Sequence, residues 1–135
     1  MGEHNIVRVR DVMKHNFDLV DGMDTVAKAL EQMLHVETKS LVVRKRHHDD
    51  EFGMVVISDI ARLVLAKDRA PDRVNIYDIM SKPLISVPPD MDIRYCARLF
   101  ARFELSRAPV LDNGEVIGIV SLTDLVMKGM MPKRG

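Results

Sequence analysis

An internal repeat constrains the fold of this chain more than any other feature. GMVVISDI at residues 53–60 returns as GIVSLTDL at residues 118–125, and every position but one keeps either the residue or its chemical kind. The exception is Val56, which corresponds to Ser121. Self-similarity of this kind indicates structural units of one type, so we expect the chain to fold as two similar halves.

A helical pattern precedes each copy of the repeated line. TVAKALEQM at 25–33 and DIRYCARLF at 92–100 both place apolar residues at i, i+3, i+4 and i+7. That spacing forms the apolar stripe of an amphipathic helix. Asp24 or Thr25 in the first copy, and Asp92 in the second, stand where a helix N-cap is expected.

Short apolar runs between the helices and the repeated lines predict strands. These runs are SLVV at 40–43 and APVL at 108–111. The second is followed by DNGE at 112–115, where Asn-Gly suits a tight hairpin turn. In the first copy the turn is the longer RKRHHDDE at 44–51. Each repeated line then reads as a strand that runs into a helix.

A second recurring segment sets the boundaries of the halves. RDVM at 10–13 returns as YDIM at 77–80. We therefore predict a first repeat at 8–66, a polar linker at 67–75 and a second repeat at 76–129. A half of this size has little core of its own, so the two halves should pack face to face as one compact module.

Composition excludes several classes of protein. Twenty basic residues balance twenty acidic ones, so no global charge favours nucleic acid or an anionic membrane. No apolar run approaches the ~18–20 residues that span a bilayer, and the charged N-terminus does not suit a signal peptide. The lone Cys96 lies on an apolar helical stripe and predicts a buried thiol. We expect a cytoplasmic protein.

Together these motifs identify a family resemblance. Two copies of a G-h-h-[S/T]-x-x-D line, each preceded by an amphipathic helix and a strand, resemble a pair of cystathionine-beta-synthase (CBS) domains, the Bateman module. The resemblance covers residues 8–128. It implies an α/β (α+β) fold of two tandem β-α-β-β-α repeats, packed through their sheets as one pseudo-two-fold module. It also implies clefts that hold AMP, ADP, ATP or S-adenosylmethionine.

The resemblance also assigns the residues of a ligand site. One cleft would combine the repeated line of the first half with residues of the second: Ser58, Asp59, Arg107, Ala108 and Pro109. The other would combine Ser121, Thr123, Asp124, Lys39 and Ser40. Adenine would lie near Val20 and Val87. Each Asp carboxylate would accept hydrogen bonds from a ribose diol, although a helix N-cap role would explain the same residues without a ligand.

The exchange of Val56 for Ser121 predicts unequal clefts. Val56 offers no hydroxyl, so a phosphorylated adenosine should prefer the cleft built on Ser121. In that case Asp124→Ala abolishes tight binding and Asp59→Ala leaves most of it. Arg107 favours phosphate binding in the Asp59 cleft instead, because a guanidinium can bind phosphate through two hydrogen bonds.

Other motifs carry weaker signals. HHDD at 47–50 has plausible metal ligands, but adjacent residues on a hairpin point apart, so we expect a solvated loop and no metal site. Arg94, Arg98 and Arg102 form a basic ridge that we interpret as a solvated or subunit-contacting face rather than a nucleic-acid site. No catalytic constellation and no required cofactor are expected.

The sequence therefore predicts a stand-alone, non-catalytic sensor that signals to a separate partner. The alternative is a ligand-free interaction or dimerisation module. Apolar residues of the helices that begin near Asp59 and Asp124 predict a homodimer. Those residues are Ile60, Leu63, Val64, Leu65, Leu125, Val126 and Met127.

Overall fold

The computed structural model describes residues 6–82 and 85–131, which divide into two compact units. The first unit comprises residues 16–82, and the second comprises residues 6–15 together with 85–131. The helices are α1 (Val9–Val12), α2 (Val26–Glu31), α3 (Ile57–Ile60), α4 (Ile76–Ile79), α5 (Ile93–Phe103) and α6 (Leu122–Gly129). The strands are β1 (Leu19–Val20), β2 (Ser40–Val43), β3 (Gly53–Val56), β4 (Arg107–Asp112) and β5 (Glu115–Ser121).

The first unit is built on a three-stranded sheet in the order β1-β2-β3. β1 runs parallel to β2, and β3 runs antiparallel to it. All of β2 is buried, which confirms the strand predicted at 40–43. The core beneath the sheet is aliphatic, with Val26 of α2, Leu41, Val55 and Ile76 of α4 among its buried members.

Helix α2 is shorter than the sequence predicts. Thr25 is its N-cap, with Oγ1 accepting a hydrogen bond from the Lys28 N–H at 3.1 Å. The helix ends at Glu31 because the buried Asp18 carboxylate accepts the backbone N–H groups of Leu34 (2.9 Å) and His35 (2.8 Å). A side chain thus satisfies donors that a longer helix would have bonded internally.

The second unit is built on the hairpin of β4 and β5. Asn113 and Gly114 have φ values of 52° and 78°, which confirms the predicted tight turn. Val87 forms an isolated parallel bridge to Val110, so the first strand of this β-α-β-β-α unit is reduced to one residue. Phe100 of α5 is fully buried in the core of this unit. The predicted mixed α/β class is confirmed, with a small sheet and helices in each unit.

The lead segments, residues 10–14 and 77–81 at the start of the two sequence repeats, each pair with a strand of the other repeat. Lys14, which follows α1, exchanges two backbone hydrogen bonds with Ile119 of β5, at 2.8 and 3.0 Å. Ser81, which follows α4, does the same with Met54 of β3, at 2.8 and 3.0 Å. The compact units therefore divide the chain differently from the sequence repeats predicted at 8–66 and 76–129.

The core of the second unit contains the lone thiol. Cys96 is fully buried, as predicted, and burial raises its pKa to about 11. A thiol with this pKa is almost entirely protonated at neutral pH and is a poor nucleophile.

Among the described residues, no helix is long and apolar enough to cross a bilayer.

Candidate ligand-binding site

The repeated line forms a strand-to-helix junction in each unit. β3 leads into α3 at Val56, and β5 leads into α6 at Ser121. These two residues are the N-caps, and Asp59 and Asp124 stand three positions later, at N3. The interpretation of the aspartates as N-caps was therefore wrong. The one residue that differs between the repeats is the N-cap itself.

In the second unit the junction is closed by a capping box. The Asp124 N–H donates to Ser121 Oγ at 3.1 Å. In return, Asp124 Oδ2 accepts from the Ser121 backbone N–H at 3.1 Å and from its hydroxyl at 2.9 Å. Such a box satisfies backbone N–H donors at the start of the helix. Here it also gives Asp124 Oδ2 two hydrogen bonds.

Two lysines occupy the other oxygen of Asp124. Lys14 Nζ donates to Oδ1 at 2.6 Å, and Lys128 Nζ lies 3.2 Å from the same atom. Asp124 is only 2% exposed. Burial acts to raise the pKa of this carboxyl, but the hydrogen bonds from Lys14, Ser121 and Lys128 outweigh it, so its pKa lies below the ordinary value.

The Asp59 junction is open by comparison. Val56 provides no hydroxyl, and no side-chain hydrogen bond caps α3. Among the described residues, the contact to the Asp59 carboxylate is a hydrogen bond from Arg62 Nη2 to Oδ1 at 2.9 Å. The Asp59 side chain is 24% exposed and that of Arg62 is 67% exposed. This pair is therefore weak and solvent-accessible.

The chain beyond Asp59 also differs from a regular helix. α3 continues as a π-helical turn at Ala61–Leu65, closed by the hydrogen bond from the Ala66 N–H to the Ala61 carbonyl at 2.8 Å. Such turns are rare and frequently occur at functional sites. α6 carries no such turn.

The structure places the remaining predicted residues within their own units. In the first unit, Ser40 is the β2 partner of Val56, and the Lys39 carbonyl accepts the N–H of Ile57 at 3.0 Å. Lys39 is exposed in a left-handed conformation, whereas the buried Ser40 hydroxyl donates to the Thr38 carbonyl at 3.2 Å. Ser58 is exposed, and Val20 is half-buried.

In the second unit, Arg107 is the β4 partner of Ser121. Burial lowers the pKa of its guanidinium, and the charge of Asp124 acts in the opposite direction. Thr123 is exposed, whereas Ala108, Pro109 and Val87 are buried. The combinations of residues from different repeats that the resemblance implies remain predictions.

Asp50 ties the loop at 47–50 to Arg46 and Lys82. Asp50 accepts the Arg46 backbone N–H and a hydrogen bond from Lys82 Nζ, both at 2.9 Å, and these bonds hold its pKa well below the usual range. His48 pairs with the neighbouring Asp49. Within residues 6–82 and 85–131, no group of three His, Cys, Asp or Glu side chains is placed to hold a metal ion.

The basic ridge of α5 is occupied by contacts within that helix and its cap. Arg94 donates to the carboxylate of Asp92, the N-cap, with the shortest hydrogen bond at 2.7 Å. The other two guanidinium groups lie over aromatic rings, Arg98 over Tyr95 and Arg102 over Phe103. Each of the three arginines therefore has a partner within the helix or its cap.

Sequence reasoning did not find the lysines that bind Asp124. Lys128 stands four residues after Asp124 in α6, a spacing at which ion pairs form across one helical turn, so it could have been found. Lys14 lies 110 residues away, and no local pattern connects it to Asp124.

Comparisons with known proteins agree with this architecture. The family model of the CBS domain matches residues 76–129. A hexameric CBS-CP12 protein from bloom-forming cyanobacteria is 34% identical, with a TM-score of 0.86 over 96% of this chain and 76% of that one. The chain belongs to the CBS domain family, which confirms the resemblance found in the sequence.

Two further proteins extend the comparison. An uncharacterized protein of Methanopyrus kandleri is 34% identical over 86 residues, which are 63% of this chain and 44% of that protein. The chain spans about half the length of the curated relatives it matches. The CBS domain pair of protein MJ0100, solved with 5-methylthioadenosine and S-adenosyl-L-methionine, has the same fold. It is 21% identical, with a TM-score of 0.76 over 93% of this chain and 97% of that one.

Proposed function

We propose that this chain is a non-catalytic sensor that binds an adenosine-containing ligand and signals to a separate partner. AMP, ADP, ATP and S-adenosylmethionine are the candidate ligands. The observation that carries the proposal is the Asp59 carboxylate, which is partly exposed at a strand-to-helix junction of a CBS fold. The adenosyl compounds bound by the MJ0100 domain pair support the choice of ligand class.

The chemistry of Asp59 suits a ribose. An ionised carboxylate only accepts hydrogen bonds, and the 2′- and 3′-hydroxyls of a ribose offer two donors side by side. Arg62 holds one carboxylate oxygen from an exposed position, so its displacement should cost less than about 1 kcal/mol. The exposed hydroxyl of the adjacent Ser58 is a further polar group at the junction.

A ligand panel tests the proposal. Titration calorimetry and thermal unfolding should detect binding of at least one of the four candidates. A ligand present at about 100 times its dissociation constant should stabilise the fold by about 2.7 kcal/mol.

Asp59→Ala should weaken binding at least about tenfold, because two hydrogen bonds to a charged group are lost. The matched control, Asp72→Ala in an exposed turn, should bind as the parent does. No response to any candidate at millimolar concentration would leave the interaction module as the better reading.

The second candidate function, an interaction module, is favoured by the apolar surface of α6. Leu122, Val126 and Met127 are exposed on that helix, and Met130 follows them. The sequence predicted seven apolar residues for a dimer interface. Three of them are instead buried in the cores of their own units: Ile60, Val64 and Leu125. The exposed members of that set are Leu65, Val126 and Met127. The hexameric assembly of the cyanobacterial relative supports an oligomer.

We propose self-association through α6, and light scattering tests it. The parent protein at tens of micromolar should have a mass above the 15.3 kDa of one chain. Val126→Glu should shift the mass towards one chain, because a charge would be buried in an apolar contact. Leu34→Glu, at another exposed apolar position, should leave the mass unchanged. A single-chain mass for the parent would exclude the homodimer.

A further inference from the structure

A cavity of about 290 Å³ lies in the first unit, away from the repeated line. Its lining includes residues that follow β1, residues that follow β2 and one residue of α4. These are Asp21, Gly22, Arg44, Lys45, Arg46 and Tyr77. We propose that this basic cavity binds a small molecule that carries phosphate groups. The site is separate from the Asp59 junction, and the inference does not depend on the proposed function.

The basic cavity and the Asp59 junction lie at opposite ends of β2. The strand begins at Ser40, the partner of Val56 at the junction, and ends at Val43. Arg44 follows Val43 directly and lines the cavity. The steps from Ser40 to Val43 span about 10 Å, which exceeds the size of a phosphate group. A phosphate in the cavity therefore needs no contact with Asp59.

Positive charge dominates the lining. Arg44, Lys45 and Arg46 are consecutive, whereas Asp21 is the acidic residue among those that line the cavity. The Asp21 carboxylate accepts the backbone N–H of Met23 at 2.8 Å. In the described part of the chain, neither the Arg44 guanidinium nor the Lys45 ammonium forms an ion pair. Three cations and one carboxylate give the lining a net charge of +2, which an anion would compensate.

Aromatic rings position two of these cations without neutralising them. Lys45 Nζ lies 4.9 Å from the centre of the Phe52 ring. The guanidinium carbon of Arg46 lies 4.9 Å from the centre of the Tyr77 ring. A ring attracts a cation through its quadrupole, but it carries no net charge. Both cations therefore keep their charge while the rings restrict their positions, which is the arrangement that an anion site requires.

Asp50 compensates the charge of Arg46 only in part. Arg46 Nε lies 3.5 Å from Asp50 Oδ2, beyond the usual length of a hydrogen bond. Lys82 Nζ donates to the other oxygen of the same carboxylate at 2.9 Å. One carboxylate thus faces two cations, so a positive charge remains at this side of the cavity.

Gly22 fixes the position of the Tyr77 ring. A Cβ at residue 22 would lie 2.8 Å from Cε1 of that ring, so only glycine allows so close an approach. The Tyr77 backbone N–H also donates to the Gly22 carbonyl at 2.9 Å. The aromatic support of Arg46 is therefore set by the backbone of the first unit, and the guanidinium is in position before a ligand arrives.

The lining residues select the chemistry of the ligand. A guanidinium can bind phosphate through two parallel hydrogen bonds, and an ammonium group adds a point charge. The cavity volume is close to the lower end of the range for small-molecule sites, about 300 Å³. That size suits a compact anion with one or two phosphate groups. Inorganic pyrophosphate is therefore the simplest probe.

Titration calorimetry with inorganic pyrophosphate at low ionic strength tests the inference. The parent should bind one pyrophosphate per chain, and added salt should lower the affinity, because salt screens exposed charges. Arg44→Gln should weaken binding at least about tenfold, because a charge-assisted hydrogen bond is lost. The matched control, Arg69→Gln, removes the same charge from an exposed position of the first unit outside the cavity lining. It should bind pyrophosphate as the parent does.

Asp59→Ala separates the basic cavity from the adenosyl site. It should bind pyrophosphate with the parent affinity, because the Asp59 junction lies at the other end of β2. Loss of pyrophosphate binding in this variant would overturn the inference and assign the phosphate to the repeated line. Equal affinities of Arg44→Gln and Arg69→Gln would also overturn it. Failure of the parent to bind pyrophosphate at millimolar concentration would overturn it as well and leave the proposed function standing.

Discussion

Replacing Asp124 with alanine is expected to lower the free energy of unfolding by about 3 kcal/mol, because it removes a buried carboxylate that four donors share. Lys14 and Ser121 would lose their partner while remaining partly or fully buried. Chemical denaturation at neutral pH measures the change. Asp59→Ala is the matched control at the corresponding position of the first unit, and it should cost less than about 1 kcal/mol, because its ion pair is exposed.

Acid should remove the same stabilisation. The folded-state pKa of Asp124 lies below the ordinary value, so its carboxylate stabilises the fold above the unfolded pKa of about 3.9. This contribution is lost as the pH falls through the lower folded-state pKa. The difference in unfolding free energy between the parent and Asp124→Asn should therefore be largest near neutrality and shrink below about pH 4. A difference that is equal at neutral and acid pH, or equal losses for the two alanine variants, would contradict this role of the carboxylate.

Gly118→Ala is expected to cost about 2–3 kcal/mol, because there is no space for a methyl group at the start of the second repeated line. A Cβ at this position would lie 2.5 Å from the Lys14 carbonyl oxygen and 3.0 Å from Met13 Sδ. The carbonyl cannot withdraw without breaking the backbone pair between Lys14 and Ile119. Denaturant unfolding measures the loss.

Gly53→Ala is the matched control for this prediction. A Cβ there would lie 2.7 Å from Met80 Sδ and 3.2 Å from Val43 Cβ. Because the nearer atom belongs to a flexible side chain rather than to the backbone, the expected loss is only about 1 kcal/mol. Losses of the same size at the two glycines would show that the close approach of Lys14 does not explain Gly118.

The sequence by itself determined the features whose physical causes are local. The period of the apolar residues predicted α5, and the alternation of short apolar runs with turns predicted β2 and β4. Asn113-Gly114 predicted the hairpin, because those residues tolerate the positive φ that the turn requires. The repeat of the whole pattern was sufficient to identify the family. Each of these signals depends on neighbours within a few residues along the chain.

Only the tertiary structure decided how the two repeats differ. The sequence shows Asp59 and Asp124 in matching positions, but it does not show that Lys14 reaches Asp124 from 110 residues away. That contact exists because the lead segments pair with β3 and β5 of the other repeat, and this exchange leaves no local pattern. Burial and ion pairing depend on where the chain returns in space, so identical motifs acquire different surroundings. Asp124 became part of the protein interior, and Asp59 remained accessible to solvent.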